Sequence, residues 1–195
     1  MVSIRYPVIM TGHQLPDYIE RWAHFVRHER RLTAQKEGLQ PVHMDVLLYL
    51  ARCNKFSNRP LAVADYLQLT KGTVSQSIKL LEKKGFIERT LNFSDKRQVH
   101  LFLTHRGREI VKSLDNTDQY QPLLAALNDR DQAHLKNIFD HTLKHHIQNS
   151  NLTSFGLCRT CKHHRIHDND ERFCALVREK LFPEEINQIC REHDY

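Results

Sequence analysis

Between Pro60 and Thr104 the spacing of apolar residues changes from a helical to an alternating pattern, and few folds accommodate that change in so short a stretch. Pro60 suits the first turn of a short helix, "PLAVADYLQL", and Thr70 is a good N-cap for a second, "KGTVSQSIKLLEKK", which Gly85 can stop. "FIERTLN" and "QVHLFLT" then alternate as strands do. The polar turn "FSDKR" between them makes a hairpin. Two short helices joined tightly and followed by a hairpin are the order of a winged helix–turn–helix, in which the second helix is the candidate recognition helix.

The flanks read as helix. Residues 16–38 carry Ile19, Trp22, Ala23, Val26 and Leu32 on one stripe, and a second helix from Pro41 turns Met44, Leu47, Leu48 and Ala51 inward. The polar "NKFSNR" reads as a plain connection. After the hairpin, Thr104 or a neighbour opens "HRGREIVKSL", and Asn128 or Asp129 can cap a last helix striped by Leu135, Ile138, Phe139, Leu143 and Ile147. "QNSNLTSFG" reads as a linker. The expected fold is mainly α with a small β-hairpin, a winged helix–turn–helix with flanking dimerisation helices over residues 1–150. Residues 151–195 form a small Cys-rich appendage.

The candidate recognition helix divides into two faces. Val74, Ile78 and Leu81 can anchor it, which leaves Lys71, Thr73, Ser75, Gln76, Ser77, Lys79 and Lys83 as a polar, basic face. Thr, Ser and Gln can bond base edges, and Lys can meet phosphates or guanine. Residues 71–81 hold no acid; Glu82 lies towards the far end. Lys96 and Arg97 at the hairpin tip could reach phosphates or a narrow minor groove, with Asp95 holding the Arg97 guanidinium. Charge agrees with a polyanionic partner. Residues 151–195 hold 7 Lys/Arg against 8 Asp/Glu, and residues 1–150 the remaining 22 against 15.

Residues 60–107 resemble the winged core of the MarR family of bacterial transcription regulators. The elements that carry the resemblance are Leu69–Thr70, Val74–Ser75, Ile78, Leu81–Glu82, Gly85, Ile87, Arg89, Asp95, Arg97, and Leu103–Thr104 with Gly107. Arg89 precedes a longer, less charged stretch, "TLNFS", so Arg97 is the better candidate contact. The resemblance implies a homodimer on double-stranded DNA at a pseudo-palindromic operator, with the first and last helices as the dimer base. It implies a sequence-specific regulator, a repressor by preference, that can answer to a small, often aromatic, effector. Some members sense oxidants through a lone cysteine, but Cys53 reads as a small core residue.

The tail carries a separate signal. Cys158, Cys161, Cys174 and Cys190 have the spacing C-x2-C-x12-C-x15-C, enough to close a tetrahedral shell around a metal. Zinc sites usually repeat the close pair, so the isolated Cys174 and Cys190 tilt the expectation towards an iron–sulfur cluster. Substitution by His193 would make a Cys3His zinc site instead. His163, His164 and His167 read as surface residues. The apolar residues of the tail, Leu157, Phe173, Leu176, Val177, Leu181, Phe182 and Ile186, are few, and a metal would supply the missing stability.

The sequence also argues against other classes. The N-terminal "MVSIRYPVIM" lacks the pattern of a secretion signal, and no apolar run reaches the roughly 18 residues a membrane helix needs. A cytoplasmic location with reduced thiols follows as an expectation. Four Cys would leave zinc no open position, and no H-E-x-x-H or H-x-E…C-x-x-C arrangement occurs, so an enzyme is not expected.

Overall fold

The computed structural model describes residues 14–91, 99–116, 120, 124–167 and 170–195. Helix α1 (Gln14–Lys36) leads into α2 (Pro41–Arg52), α3 (Pro60–Leu67) and α4 (Lys71–Lys83). The hairpin β1 (Ile87–Leu91) and β2 (Val99–Leu103) pairs antiparallel, with Ile87 opposite Leu103 and Leu91 opposite Val99. Helices α5 (His105–Asn116) and α6 (Asp129–Gln148) complete the winged region.

Helix α2 is the centre of the core. His43, Met44, Val46, Leu47, Leu48, Tyr49 and Leu50 are buried in sequence almost without interruption, as in a helix packed on most sides. Ala51, expected to face inward, is exposed. Val63 of α3, Val74, Ile78 and Leu81 of α4, Phe86 and Ile87, Leu101 of β2, and Ile110, Val111 and Leu114 of α5 pack round it. The core therefore locks both helices of the helix–turn–helix and the root of the wing to one element.

The stops are chemical. Thr70 Oγ1 accepts from the Thr73 N–H at 3.1 Å and caps α4. Gly85, at φ +74°, ends it; Phe86 N–H then reaches Leu81 C=O and Gly85 N–H reaches Glu82 C=O, both at 2.9 Å. Asn128 caps α6 by accepting from Asp131 N–H at 3.0 Å.

The outer helices are less covered. On α1, Tyr18, Ile19, Trp22, Phe25 and Leu32 are exposed, and α6 has no buried residue along its 20 positions.

The tail folds as short strands: β3 (Gly156–Leu157), β4 (His164–Ile166), β5 (Arg172–Cys174), β6 (Glu179–Leu181) and β7 (Ile189–Cys190). Strands β4, β5 and β6 form an antiparallel meander, and β7 returns to pair with β3. Phe155 enters the main core and stands edge-on to Tyr66 at 5.0 Å and to Tyr49 at 6.3 Å. No helix among the described residues is long and apolar enough to cross a membrane.

Candidate nucleic-acid interface and cysteine centre

The burial of α4 separates its two faces residue by residue. Val74, Ser77, Ile78 and Leu81 are buried, while Lys71, Thr73, Ser75, Gln76 and Lys79 are exposed. Ser77 is the exception to the sequence reading. It is 3% exposed and points to the core side, so it cannot reach a groove. Its position follows from helical geometry: Ser77 lies three residues after Val74 and four before Leu81, on their stripe. Thr73 shares its hydroxyl with the Thr70 cap at 2.9 Å, which fixes its rotamer at the start of the exposed face.

Neighbouring charges sort into free and tied. Glu82, the acid on α4, faces Arg89 of β1 at 3.7 Å, so its charge is partly offset and Arg89 is drawn towards the helix. Lys84 donates to Glu37 C=O at 3.3 Å. Arg106 bonds Glu37 Oε2 at 3.0 Å and lies over the Phe86 ring at 4.4 Å. Those two cations brace the scaffold, whereas Lys71 and Lys79 are exposed, with no such partner among the described residues, on the same face as Ser75 and Gln76. Lys96 and Arg97, the expected wing-tip contacts, lie outside the described residues.

The cysteines converge through strand pairing. Cys158 and Cys161 flank a 3-10 turn after β3, and the β3–β7 register sets Gly156 opposite Cys190. The β4–β5 register puts His164 directly opposite Cys174, on one face of the meander. All four cysteines border one cavity of about 10 Å3, together with Phe56, His164, Leu176, Val177, Leu181 and Glu192. The thiols are free, without disulfides. Among the described residues, no three His, Cys, Asp or Glu side chains already stand as a group that could hold a metal ion. The sulfurs share a cavity without being drawn onto one point.

Polar hydrogens point at these sulfurs. Asn54 Nδ2 donates to Cys158 Sγ at 3.4 Å, and Asp194 N–H donates to Cys161 Sγ at 3.4 Å. Hydrogen bonding between Cys158 and Cys190 raises the first thiol's pKa and lowers the second's; burial pushes both up.

Two histidines of the tail have defined surroundings. His193 is buried, but its Nε2 lies 3.0 Å from Thr160 Oγ1 and its Nδ1 3.5 Å from Ser154 Oγ, so hydroxyls occupy both ring nitrogens. His164, read as a surface residue, borders the cysteine cavity with a buried Nε2 that has no hydrogen-bond partner. Alternation within β4, set by pairing to β5, puts it there, and the run "KHHRIH" gave no sign of which histidine would turn inward. Cys53 is a core thiol as expected; it donates to Leu50 C=O at 3.7 Å, and burial pushes its pKa up to about 12.

A central buried helix, an exposed basic helix on the rim and a two-stranded hairpin beside it define a winged helix–turn–helix protein. Residues 37–98 match the model of the MarR family. The winged part of the chain is thus similar to the MarR family. The HTH-type transcriptional regulator SarZ of Staphylococcus saprophyticus is 34% identical over 71 residues, which are 36% of this chain and 47% of that protein. The chain thus spans about half the length of that curated relative. A MarR transcriptional regulator from Methanosarcina mazei Go1 superimposes with a TM-score of 0.59 at 18% identity, over 69% of this chain and 97% of that one. The S. aureus MepR–DNA complex gives 0.57 at 20% identity, over 70% and 98%. These two likenesses establish the shared fold. The proteins it resembles are transcription regulators rather than enzymes.

Proposed function

We propose that the protein is a cytoplasmic, sequence-specific DNA-binding regulator that acts as a homodimer and represses the genes it binds. The observation that carries this reading is the exposed face of α4. Lys71, Thr73, Ser75, Gln76 and Lys79 project from a helix whose opposite side is locked into the core, and no acid interrupts them. A rigid helix carrying amide, hydroxyl and ammonium groups suits the major groove. Relatedness to SarZ and a fold shared with MepR, which is solved with DNA, support it.

The dimer is carried by α1 and α6. Ile138, Phe139 and Leu143 of α6 are about half exposed, as are Tyr18, Ile19 and Phe25 of α1. An apolar stripe along an otherwise unburied 20-residue helix is stable when a second copy covers it, and a two-fold pair would present two α4 helices to successive grooves. A cleft of about 860 Å3 between α1, α2, α3 and α6, bordered by Tyr18, Trp22, Arg30, Tyr66 and Phe139, gives an aromatic effector a place to act. In the same reading, the four tail cysteines hold a metal or an iron–sulfur cluster that senses or stabilises.

Selection of binding sites from random duplex DNA, followed by affinity measurement, tests the reading. The expected result is an enriched pseudo-palindrome bound at least about 1,000-fold more tightly than random sequence. Gln76→Ala should relax preference at one or two positions in each half-site. An absence of enrichment, or a sequence preference untouched by substitutions on α4, would refute it. Ile138→Glu/Leu143→Glu should sediment as a monomer, and an operator placed over a promoter should lower reporter output.

A further inference from the structure

We infer that Cys158, Cys161, Cys174 and Cys190 hold one tetrahedral zinc-class cation, and that this ion fastens the tail to the loop leading into the helix–turn–helix. The inference rests on the metal-binding part of the reading above and narrows it to one ion and one mechanical role.

Room favours a single ion. The cavity bordered by the four cysteines is about 10 Å3, roughly one water-sized sphere, and is otherwise walled largely by Phe56, Leu176, Val177 and Leu181. A zinc ion with Zn–S bonds of about 2.3 Å would draw the four sulfurs that border this cavity to about 3.8 Å from one another. A [4Fe–4S] cluster inserts eight inorganic atoms and would have to spread these walls. Four thiolates also close the shell, so the ion has a structural role.

The surroundings of the sulfurs fit bound thiolate. Asn54 Nδ2 and Asp194 N–H both point at sulfur, an arrangement in which outer donors disperse the charge of metal-bound sulfur. Asn54 is 1% exposed and lies 104 residues before Cys158 in the chain, so the winged domain itself supplies one of these donors.

The fastening follows from what the loop at residues 53–58 touches. Cys53 bridges to Ile189, and Asn54 N–H donates to Ile189 C=O at 2.9 Å. Lys55 Nζ stands 3.4 Å from both Glu179 and Glu185. Phe56 packs on the small core of Cys158, Leu181 and Cys190. Ser57 Oγ accepts from Arg191 N–H at 2.9 Å, and the Arg191 guanidinium reaches Asp65 of α3 at 2.8 Å. Residues 189 and 191 flank Cys190, so the segment that carries one metal ligand is tied through Ile189 to the loop and through Arg191 to α3. Releasing the ion frees that strand at its anchored residue, and α3 loses the contacts that orient it beside α4.

The test uses the full chain. Purified without oxygen, it should carry one zinc per protomer by mass spectrometry. Replacement by cobalt(II) should give the ligand-field and thiolate-to-metal absorption of a tetrahedral sulfur site. Cys161→Ser and Cys174→Ser should lose the ion, and Cys53→Ser should keep it. Chelation should raise amide exchange in residues 53–67 by at least about tenfold and leave α6 unchanged. A wild-type chain without zinc, a brown chain with iron and labile sulfide, or exchange in 53–67 indifferent to chelation would overturn the inference. None of these readouts involves DNA, so a failure of DNA binding is recorded separately.

Discussion

Replacing Gly107 with alanine sets two effects of opposite sign against each other. Glycine in a helix costs about 1 kcal/mol relative to alanine, so in open surroundings the substitution would stabilise α5. Gly107, however, is buried against the root of the wing. A Cβ built there meets the Phe86 carbonyl oxygen at 2.1 Å and Leu103 Cδ2 at 3.3 Å. A Cβ essentially never comes within 3.0 Å of another heavy atom, so α5 and the Phe86 carbonyl just before β1 must part by about 1 Å. The atom in the way is backbone, and it already accepts the Thr104 N–H at 3.1 Å. Overpacking costs about 1–3 kcal/mol and a weakened buried hydrogen bond about 1 kcal/mol more; against a helix gain of about 1 kcal/mol, the net loss is about 2 kcal/mol. That corresponds to a fall in Tm of about 4–8 °C. Thermal and urea unfolding followed by circular dichroism read it, with Gly72→Ala as the control. There the new Cβ meets only Thr70 Oγ1, at 3.8 Å, and the same substitution should leave stability unchanged or raise it. A Gly107→Ala chain as stable as the parent would refute the reasoning, because the junction between wing and α5 would then yield without cost.

Three other outcomes are expected. Lys71→Ala/Lys79→Ala removes four phosphate contacts from a dimer. The plot of log affinity against log salt concentration should become shallower by about 3.6, and an unchanged slope would place these lysines off the backbone. His43 and His100 are held below the usual histidine pKa, chiefly by burial and then by the charges of Lys84 and Arg59. The unfolded chain therefore takes up protons first as pH falls, so the stability these groups contribute is intact above about pH 6.5 and declines below it. Urea midpoints measured from pH 7.5 to 5.0 should fall in that window, and fall less steeply in a His43→Gln/His100→Gln chain. Asp65→Asn and Arg191→Met, combined in a double-mutant cycle, should show coupling of about 1–2 kcal/mol for a partly buried charge-assisted pair; additive effects would mean the tail does not pull on α3 through it.

Much of the winged region was legible because local chemistry and tertiary packing agree there. Thr70 caps α4 and Gly85 ends it, Pro60 opens α3, and Asn128 caps α6, each a residue whose side chain or missing side chain dictates the boundary. The hairpin was legible as two alternating runs about a polar turn, and the structure shows Ile87 and Leu101 to be its buried residues. Ser77 was misplaced because composition, rather than angle on the helix, assigned it to the polar face. The tail was legible only as a set of four sulfurs. Of the apolar residues expected to form its core, Leu181 alone is buried, while Leu176 and Phe182 are exposed.

The reason is that the tail does not build its core from its own sequence. Phe56 comes from the α2–α3 loop, and Phe155 leaves the tail to join Tyr49 and Tyr66 in the main core. No local pattern in "NKFSNR" announces this, because a polar loop that binds solvent and a polar loop that binds another backbone have the same composition. The distinction lies in burial. Asn54, Ser57 and Asn58 are each at most 5% exposed, and polar side chains so placed must be satisfied by something specific. Asn54 is met by a cysteine sulfur and the Phe56 N–H, Ser57 by the Arg191 N–H, and Asn58 by His100 at 2.7 Å. One loop therefore joins the cysteine centre on one side to strand β2 of the wing on the other. The hydrogen bonds of this loop thus run from Cys158 at one end to His100 of strand β2 at the other.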